Sequence, residues 1–291
     1  MQRREFLRTS CVTGLTALGA AATTYGQVDP TKKLPNETDA AYRQRLARMR
    51  ATAAARARAA GAGRDFIELR RYEIETEAQK AGMDAFLRDA AIPALNRIGI
   101  EPVGVFYPWE GLSPIYVLLR HNSFGSFVNL TERLSEDEEF MQAGAAFLDA
   151  PATNPAYKRM TSQLMLAFEG MPHVETPIKS AGRVLQLRTY ESPSVKTGKK
   201  KIEMFNQGEI DIFRKTGLHP VFFGETLTGD KMPNLTYMLV FNDMEERKAN
   251  WKTFVSSPEW KALSSIPEYA DKKILCGITN LYLKPADYSQ I

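Results

Sequence analysis

From residue 66 onward, short stretches of alternating apolar and polar residues are separated by longer stretches with helical spacing. Residues 66–74 alternate in the manner of a β-strand and are rich in β-forming residues. The next apolar residues fall on one helical face, and they are Met83, Phe86, Leu87, Ala90, Ala94, Leu95 and Ile98. Pro93 predicts a kink in this helix, and Gly99 predicts its end.

The pattern then predicts a hairpin, further helices and a closing strand. Residues 102–107 and 115–121 form the predicted hairpin, joined by a turn-rich segment. Phe124, Phe127, Val128, Thr131 and Leu134 follow a second helical face. A short helix through Phe140 and Phe147 and a strand at 163–168 complete a β-α-β-β-α-β order.

The same order recurs in the second half of the chain. The segment Glu68-Leu69-Arg70-Arg71-Tyr72 reappears 118 residues later as Gln186-Leu187-Arg188-Thr189-Tyr190. Strands are predicted at 184–190, 221–226, 236–241 and 278–283, with a helix at 199–215 and helices from Asp243. An aromatic residue is followed by a proline in both copies, but at different distances. The distance is 15 residues in the first copy, from Phe140 to Pro155, and 7 in the second, from Trp260 to Pro267. This insertion of 8 residues is predicted to form a lid or rim.

The repeat predicts an α+β fold made of two tandem ferredoxin-like (β-α-β-β-α-β) domains. We place the first domain at residues 65–170, a linker at 171–182 and the second domain at 183–285. Each unit covers only one face of its sheet with helices. We therefore expect the two bare faces to pack together as a pseudo-dimeric α/β barrel.

The amino-terminal residues predict export. Arg3-Arg4-Glu5-Phe6-Leu7 precedes a weakly apolar stretch, so residues 1–26 resemble a twin-arginine signal peptide. The expected location is periplasmic or otherwise outside the cytoplasm. Residues 27–64 are rich in Ala and Arg and are predicted to form a helical linker. No later stretch reaches roughly 18 uninterrupted apolar residues, so no transmembrane segment is predicted.

Charge and cysteine content exclude some classes of function. Residues 1–64 hold 12 Lys/Arg against 4 Asp/Glu, whereas the rest of the chain holds 26 against 30. The repeated part is thus mildly acidic and offers no basic face for nucleic acid. Cys276 is left alone once Cys11 of the leader is set aside, so no disulfide within the mature chain is expected.

Three motifs carry a family resemblance. They are Glu68-Leu69-Arg70-x-Tyr72, Gly99-x-x-Pro102-Val103 and Ser257-Pro258-Glu259-Trp260. Together they resemble the NIPSNAP family, in tandem, within the dimeric α/β-barrel superfamily. Animal members of that family are associated with mitochondria and vesicles, and the superfamily includes small oxygenases and haem-degrading enzymes. The resemblance implies the fold but supplies no catalytic set, and Gln186 and Phe140 depart from its usual motif.

Alternation groups six polar residues as candidate ligand-binding residues. They are Glu68, Arg70 and Tyr72 in the first copy and Gln186, Arg188 and Tyr190 in the second. With Leu69 and Leu187 assigned to the helix side, we expect the polar set to face the barrel interior. Buried arginine must be paired, so two alternatives stay open. Either an Arg-Glu-Tyr network fixes the sheet, or the arginines bind an anionic or carbonyl-bearing ligand.

The sequence favours binding over catalysis. His121 is a weak candidate for a catalytic base, and the three histidines have no metal-site spacing, so neither a metal nor a cofactor is predicted. We expect a non-catalytic protein that binds a small apolar or amphipathic ligand or a protein partner, with further oligomerisation open. The alternative is a cofactor-independent oxygenase-like enzyme, or a haem-related one with His121 as axial ligand.

Overall fold

The computed structural model describes residues 37, 38, 41 and 63–291. The predicted export signal and nearly all of the predicted linker helix lie outside these residues. Residues 63–291 belong to one compact unit. Within the described part of the chain, no helix is both long and apolar enough to cross a membrane.

Eight antiparallel strands close into a barrel. The strands are β1 Phe66–Glu73, β2 Val103–Pro108, β3 Ile115–His121, β4 Arg159–Ala167, β5 Val184–Glu191, β6 His219–Thr228, β7 Asn234–Phe241 and β8 Gly277–Pro285. Their order around the barrel is β1-β3-β2-β8-β5-β7-β6-β4. The strands before residue 170 thus lie in the order β4-β1-β3-β2, and those after residue 183 in the matching order β8-β5-β7-β6. We call residues 65–170 the first half and residues 183–285 the second half.

Helices follow the first and third strands of each half. In the first half they are α1 Glu77–Phe86, α2 Ile92–Arg97, α3 Phe124–Val128, α4 Leu130–Ser135, α5 Glu138–Ala143 and α6 Ala145–Leu148. In the second half they are α7 Val195–Met204, α8 Ile210–Lys215, α9 Met244–Ser256, α10 Pro258–Ser264 and α11 Asp271–Ile274. Within residues 63–291 the predicted strands and helices are present, although α3 and α4 divide one predicted helix and α7 begins four residues earlier than expected.

A π-helical turn interrupts the first long helix of each half. It spans Leu87–Ala91 between α1 and α2, and Phe205–Glu209 between α7 and α8. Pro93 was expected to kink the first helix, and the interruption comes just before it. The second half has Asp211 at the corresponding position and still forms the same turn. A proline is therefore not required for this irregularity, which both halves share.

Apolar side chains from both halves fill the barrel interior. The cluster includes Ile67, Leu69, Phe106, Leu118, Met165, Leu185, Leu187, Phe222, Met238 and Val240. Two glycines make room for Phe106 and Met165. A Cβ on Gly104 would overlap the Phe106 ring, and one on Gly224 would lie 2.7 Å from Met165. The interior is consequently a packed core that joins the halves.

Candidate functional site

The six predicted site residues lie on the outer face of the barrel, beneath the helices. Leu69 and Leu187 belong to the interior cluster. Tyr72 instead packs with residues of α1 and α2, and Tyr190 packs with residues of the π-helical turn and α8. The prediction that the polar set faces the barrel interior is therefore wrong. Alternation places the two sets on opposite faces, but both faces of this strand are buried, so alternation alone does not show which face is inner.

Glu68 and Arg70 form a two-point ion pair along β1. Arg70 Nε donates to Glu68 Oε1 at 2.7 Å, and Arg70 Nη2 donates to Oε2 at 3.1 Å. The Ser162 hydroxyl of β4 donates to Oε1 at 2.8 Å, and His121 Nε2 lies 3.4 Å from Oε2. Only 3% of Glu68 is exposed. Its carboxylate is thus paired on both oxygens, as a buried charge requires.

These contacts hold Glu68 ionised. Burial by itself would raise its pKa, but the His121 ring, the Arg70 guanidinium and the Ser162 hydroxyl together lower the pKa to about 2. Burial raises the pKa of Tyr72, although Arg70 opposes this effect. At neutral pH the group therefore contains a carboxylate, a guanidinium and a protonated phenol. Glu68 is too acidic and too fully paired to accept a proton as a general base.

A cavity of about 460 Å³ lies over this group, between the sheet and the helices of the first half. Arg70 and Tyr72 contribute its polar lining on the sheet side, and most other lining side chains are apolar. The apolar lining includes Leu87, Ala91, Leu95, Val117, Leu119, Leu130, Leu134 and Phe140. Thr131, Ser135 and Asp149 add polar atoms on the helix side. We name this space the first-half cavity. Its size falls in the roughly 300–1,000 Å³ range of small-molecule sites.

The insertion of the first half forms part of the cavity wall. Phe147 and Leu148 of α6 line the cavity, and so does Asp149 beyond it. The Phe147 ring stacks on Phe86 with centroids 4.0 Å apart and planes 6° apart. A neighbouring pocket of about 370 Å³ is lined by both of these rings. The stacked pair therefore separates two adjoining pockets.

The second half carries larger side chains at the corresponding positions. Phe66 of β1 pairs with His121 of β3, and Val184 of β5 pairs with Phe241 of β7. A residue of the first half therefore corresponds to the one 118 positions later if it lies before the hairpin, and to the one 120 positions later if it lies after the hairpin. The pairs, first half then second, are Leu87 and Phe205, Leu95 and Phe213, Val117 and Tyr237, Thr131 and Trp251, Leu134 and Phe254, and Phe140 and Trp260. These aromatic residues pack in one cluster. Aromatic rings thus occupy in the second half the place of the first-half cavity.

The charges around the repeated strand motif also differ between the two halves. Gln186 replaces the carboxylate of Glu68, and its Oε1 accepts hydrogen bonds from Trp251 Nε1 at 2.8 Å and Arg247 Nε at 3.1 Å. Gln186 Nε2 donates to Asn280 Oδ1 at 2.6 Å. Arg188 has no carboxylate partner among residues 63–291, and its Nε is buried without an acceptor. Its guanidinium instead lies 4.8 Å from the centre of the Trp251 ring and 5.2 Å from that of Tyr190.

A buried ion pair lies within the same aromatic cluster. Lys201 Nζ is 3.2 Å from Glu209 Oε2, and both side chains are almost fully buried. Burial raises the pKa of Glu209, against the attraction of Lys201. The pKa of Lys201 is raised despite its own burial, because the carboxylates of Glu209 and Asp271 stabilise its charge. Sequence reasoning missed this pair. Comparison at 118 residues would have found it, since Met83 and Ala91 stand at the corresponding positions.

The histidines lie apart from the first-half cavity lining. His121 is fully buried, with Nδ1 3.1 Å from the Ser126 hydroxyl and Nε2 facing Glu68. His173 approaches Asp65, and His219 lies 3.9 Å from Glu246. Among the described residues, no cluster of three or more His, Cys, Asp or Glu side chains could hold a metal ion. His121 serves to contact Glu68 rather than to reach the cavity.

Solved structures resemble this chain across most of its length. A proposed monooxygenase from Lactobacillus acidophilus is 11% identical, with 76% of this chain and 94% of that chain aligned and a TM-score of 0.53. A proposed monooxygenase from Fusobacterium nucleatum is 10% identical over 76% and 92%, with a TM-score of 0.50. At such identities the likeness concerns the fold alone.

Comparisons with the NIPSNAP family each cover less than half of the chain. A NIPSNAP-like domain protein from Burkholderia xenovorans is 17% identical over 38% of this chain and 91% of its own, with a TM-score of 0.34. No curated protein matches the chain. The NIPSNAP family model matches residues 185–290. Residues 185–290, which include nearly all of β5 and all of β6 to β8, are therefore similar to a NIPSNAP domain, within an α+β protein with a closed eight-stranded barrel.

Proposed function

We propose that this chain is a binding protein whose first-half cavity holds a small, mainly apolar molecule with one anionic or carbonyl group. The observation that carries the proposal is the difference between the halves. The first half keeps a space of about 460 Å³ where the second half places six larger aromatic side chains. A space that packing could have closed, and did close in the other half, is best explained by a ligand.

The polar lining determines how such a ligand would be oriented. A guanidinium has five N–H donors, and Arg70 directs Nε and one Nη2 donor to Glu68. Its remaining donors and the Tyr72 hydroxyl can meet an oxygen of the ligand. Glu68 holds the guanidinium in place and reduces its net charge, so a carbonyl or a phenol-type oxygen suits the site as well as a full anion does. The apolar walls would take the rest of the molecule.

We also propose that the two halves are tandem ferredoxin-like domains and that the protein is exported by the twin-arginine route. The matching strand orders of the halves and the repeated sequence segments support the duplication. The pair Arg3-Arg4 supports export. Replacing both arginines by lysine should retain the protein in the cytoplasm, as cell fractionation would measure.

The alternative is a cofactor-independent oxygenase-like enzyme that acts at the same cavity. The two proposed monooxygenases that share the fold favour this alternative. The groups present favour binding, because Glu68 is ionised and fully paired and His121 does not line the cavity. For the same reason His121 does not fit the role of haem ligand. An oxygen electrode would record ligand-dependent oxygen uptake if the enzyme alternative held.

A fluorescent probe tests binding in the first-half cavity. The full chain is titrated with 1-anilinonaphthalene-8-sulfonate, an aromatic molecule with one anionic group. We expect Val117→Tyr and Leu95→Phe, which place the second half's residues in the first, to weaken probe binding about tenfold or more by filling the space. Val128→Tyr is the matched control, since Val128 is 58% exposed and does not line the cavity. Equal probe affinity in all three folded variants and the parent would exclude the cavity as the site.

A further inference from the structure

We propose that the second half contains a separate binding site for a small carboxylate, formed by Arg188 and Arg247. This site is independent of the first-half cavity. The inference starts from one substitution between the halves. Glu68 neutralises Arg70 in the first half, whereas the corresponding pair in the second half is Gln186 and Arg188. The arginine has been kept and its carboxylate has been lost.

A second cation has been added at the same place. Arg247 of α9 corresponds to Phe127 of α3, because Asp243 and Ser123 cap the two helices at the same position. Arg247 Nε donates to Gln186 Oε1 at 3.1 Å. Among residues 63–291 it has no carboxylate partner, and its guanidinium lies 4.8 Å from the centre of the Tyr282 ring. The site thus holds two arginines where the first half holds one arginine and its counter-ion.

The positive charges of Arg188 and Arg247 repel each other and are only partly neutralised by nearby acidic groups. Burial lowers the pKa of Arg247, and the nearby Arg188 charge lowers it further, against Tyr282. The negative group facing Arg188 is Glu209, which is already paired with Lys201. Both arginines are partly exposed and therefore reachable from solvent. Positive charge in excess, combined with unused N–H donors, is the arrangement that binds oxyanions.

The chemistry favours a carboxylate with a flat apolar body. The group missing from the second half is a planar carboxylate, and arginine binds such a group through two parallel N–H donors. Gln186 presents its own oxygen to Arg247 and Trp251, so it leaves the free donors of Arg188 unmatched. The rings of Trp251 and Tyr282 flank the two guanidiniums. An aromatic acid would use the guanidiniums and these rings together.

Benzoate and benzamide test the proposal, because they share a shape and differ in charge. Calorimetric titration of the full chain should show benzoate binding at least about tenfold more tightly than benzamide, since hydrogen bonds between two charged groups are stronger than those to a neutral amide. Gln186→Glu should restore the first-half arrangement, pair with Arg188 and weaken benzoate binding about tenfold. Arg247→Gln should weaken it similarly. Lys252→Gln, an exposed change on α9 with the same effect on net charge, should leave it unchanged.

Other outcomes would overturn the inference. Benzoate affinity that is equal in the parent and in Gln186→Glu would place the anion elsewhere, for example at Arg70. Equal affinities for benzoate and benzamide would show that charge is not recognised. Gln186→Glu is expected to fold, because the first half already tolerates this pair, and its circular dichroism spectrum checks that directly. These results are independent of the probe titration of the first-half cavity.

Discussion

The carboxylate of Glu68 makes the stability of the barrel depend on pH. Its pKa is about 2 in the folded protein against 4.5 for the free group. A lowered pKa stabilises the folded state fully above pH 4.5, and this contribution is lost as the pH falls toward 2. The difference corresponds to about 3 kcal/mol.

Glu68→Gln tests this contribution. At pH 6 we expect the variant to be less stable than the parent by about 3 kcal/mol, and the gap should close between pH 4.5 and pH 2 because the parent alone loses the charge. Urea unfolding at pH 6, 4 and 3 measures it. Glu132→Gln is the control, since Glu132 is exposed on α4 and its effect should be small and constant. A gap that stays constant with pH would contradict the assigned pKa.

The two buried tyrosines of the second half stabilise each other. The hydroxyls of Tyr190 and Tyr237 lie 2.9 Å apart, and burial raises the pKa of both, so both stay protonated. Tyr190→Phe or Tyr237→Phe should each cost about 1–2 kcal/mol, because the remaining hydroxyl loses its partner. The double variant should cost less than the sum. A double-mutant cycle by urea unfolding would measure this coupling, and strict additivity would argue against the hydrogen bond.

At the scale of elements, two glycines end corresponding helices under different constraints. Gly99 follows α2 with φ of +78°, and Gly217 follows α8 with φ of +80°. An added Cβ at Gly99 would meet no atom within 4 Å, whereas at Gly217 it would lie 2.9 Å from Asn250 Nδ2. That amide also donates to the Gly217 carbonyl oxygen at 2.8 Å. Moving it would break this hydrogen bond.

Alanine at the two positions separates backbone strain from crowding. Gly99→Ala should cost about 1 kcal/mol for the left-handed backbone alone. Gly217→Ala should cost roughly twice as much, because it adds the displaced Asn250 amide. Thermal unfolding of both variants gives the comparison. An equal loss, or a larger loss at Gly99, would show that the contact with Asn250 is unimportant.

The same elements show what the sequence could and could not predict. Periodicity located the strands and helices of both halves, because these depend on local spacing. The predicted orientation of the β1 side chains was wrong. Leu69 and Tyr72 are both buried, on opposite faces of the sheet, so their apolar character did not show which face is the inner one. The first-half cavity was missed because it arises from the relative size of residues far apart in the chain, such as Leu95 and Thr131. Only a residue-by-residue comparison of the two copies exposes that difference.

At the scale of the molecule, the barrel has one core shared by both halves. Leu69 from the first half and Leu187 from the second lie in the same interior cluster. Strand pairing joins the halves at two places, through β2 with β8 and through β4 with β6. Neither half could bury its inner face without the other. We therefore expect the halves to unfold together in one transition rather than as two independent domains.

Leu69→Ala tests whether the halves unfold together. The change lies in the first half, and unfolding is followed by tryptophan fluorescence from the second half alone. In a Trp109→Phe background the remaining tryptophans, Trp251 and Trp260, both lie in the second half. Removing the buried Leu69 side chain should cost about 2–5 kcal/mol, and the urea midpoint reported by these tryptophans should fall by the amount seen in circular dichroism. Val128→Ala, an exposed first-half change, should leave both midpoints unchanged. A fluorescence midpoint that stays fixed while circular dichroism shifts would mean that the halves unfold separately, and the shared core would then contribute little cooperativity.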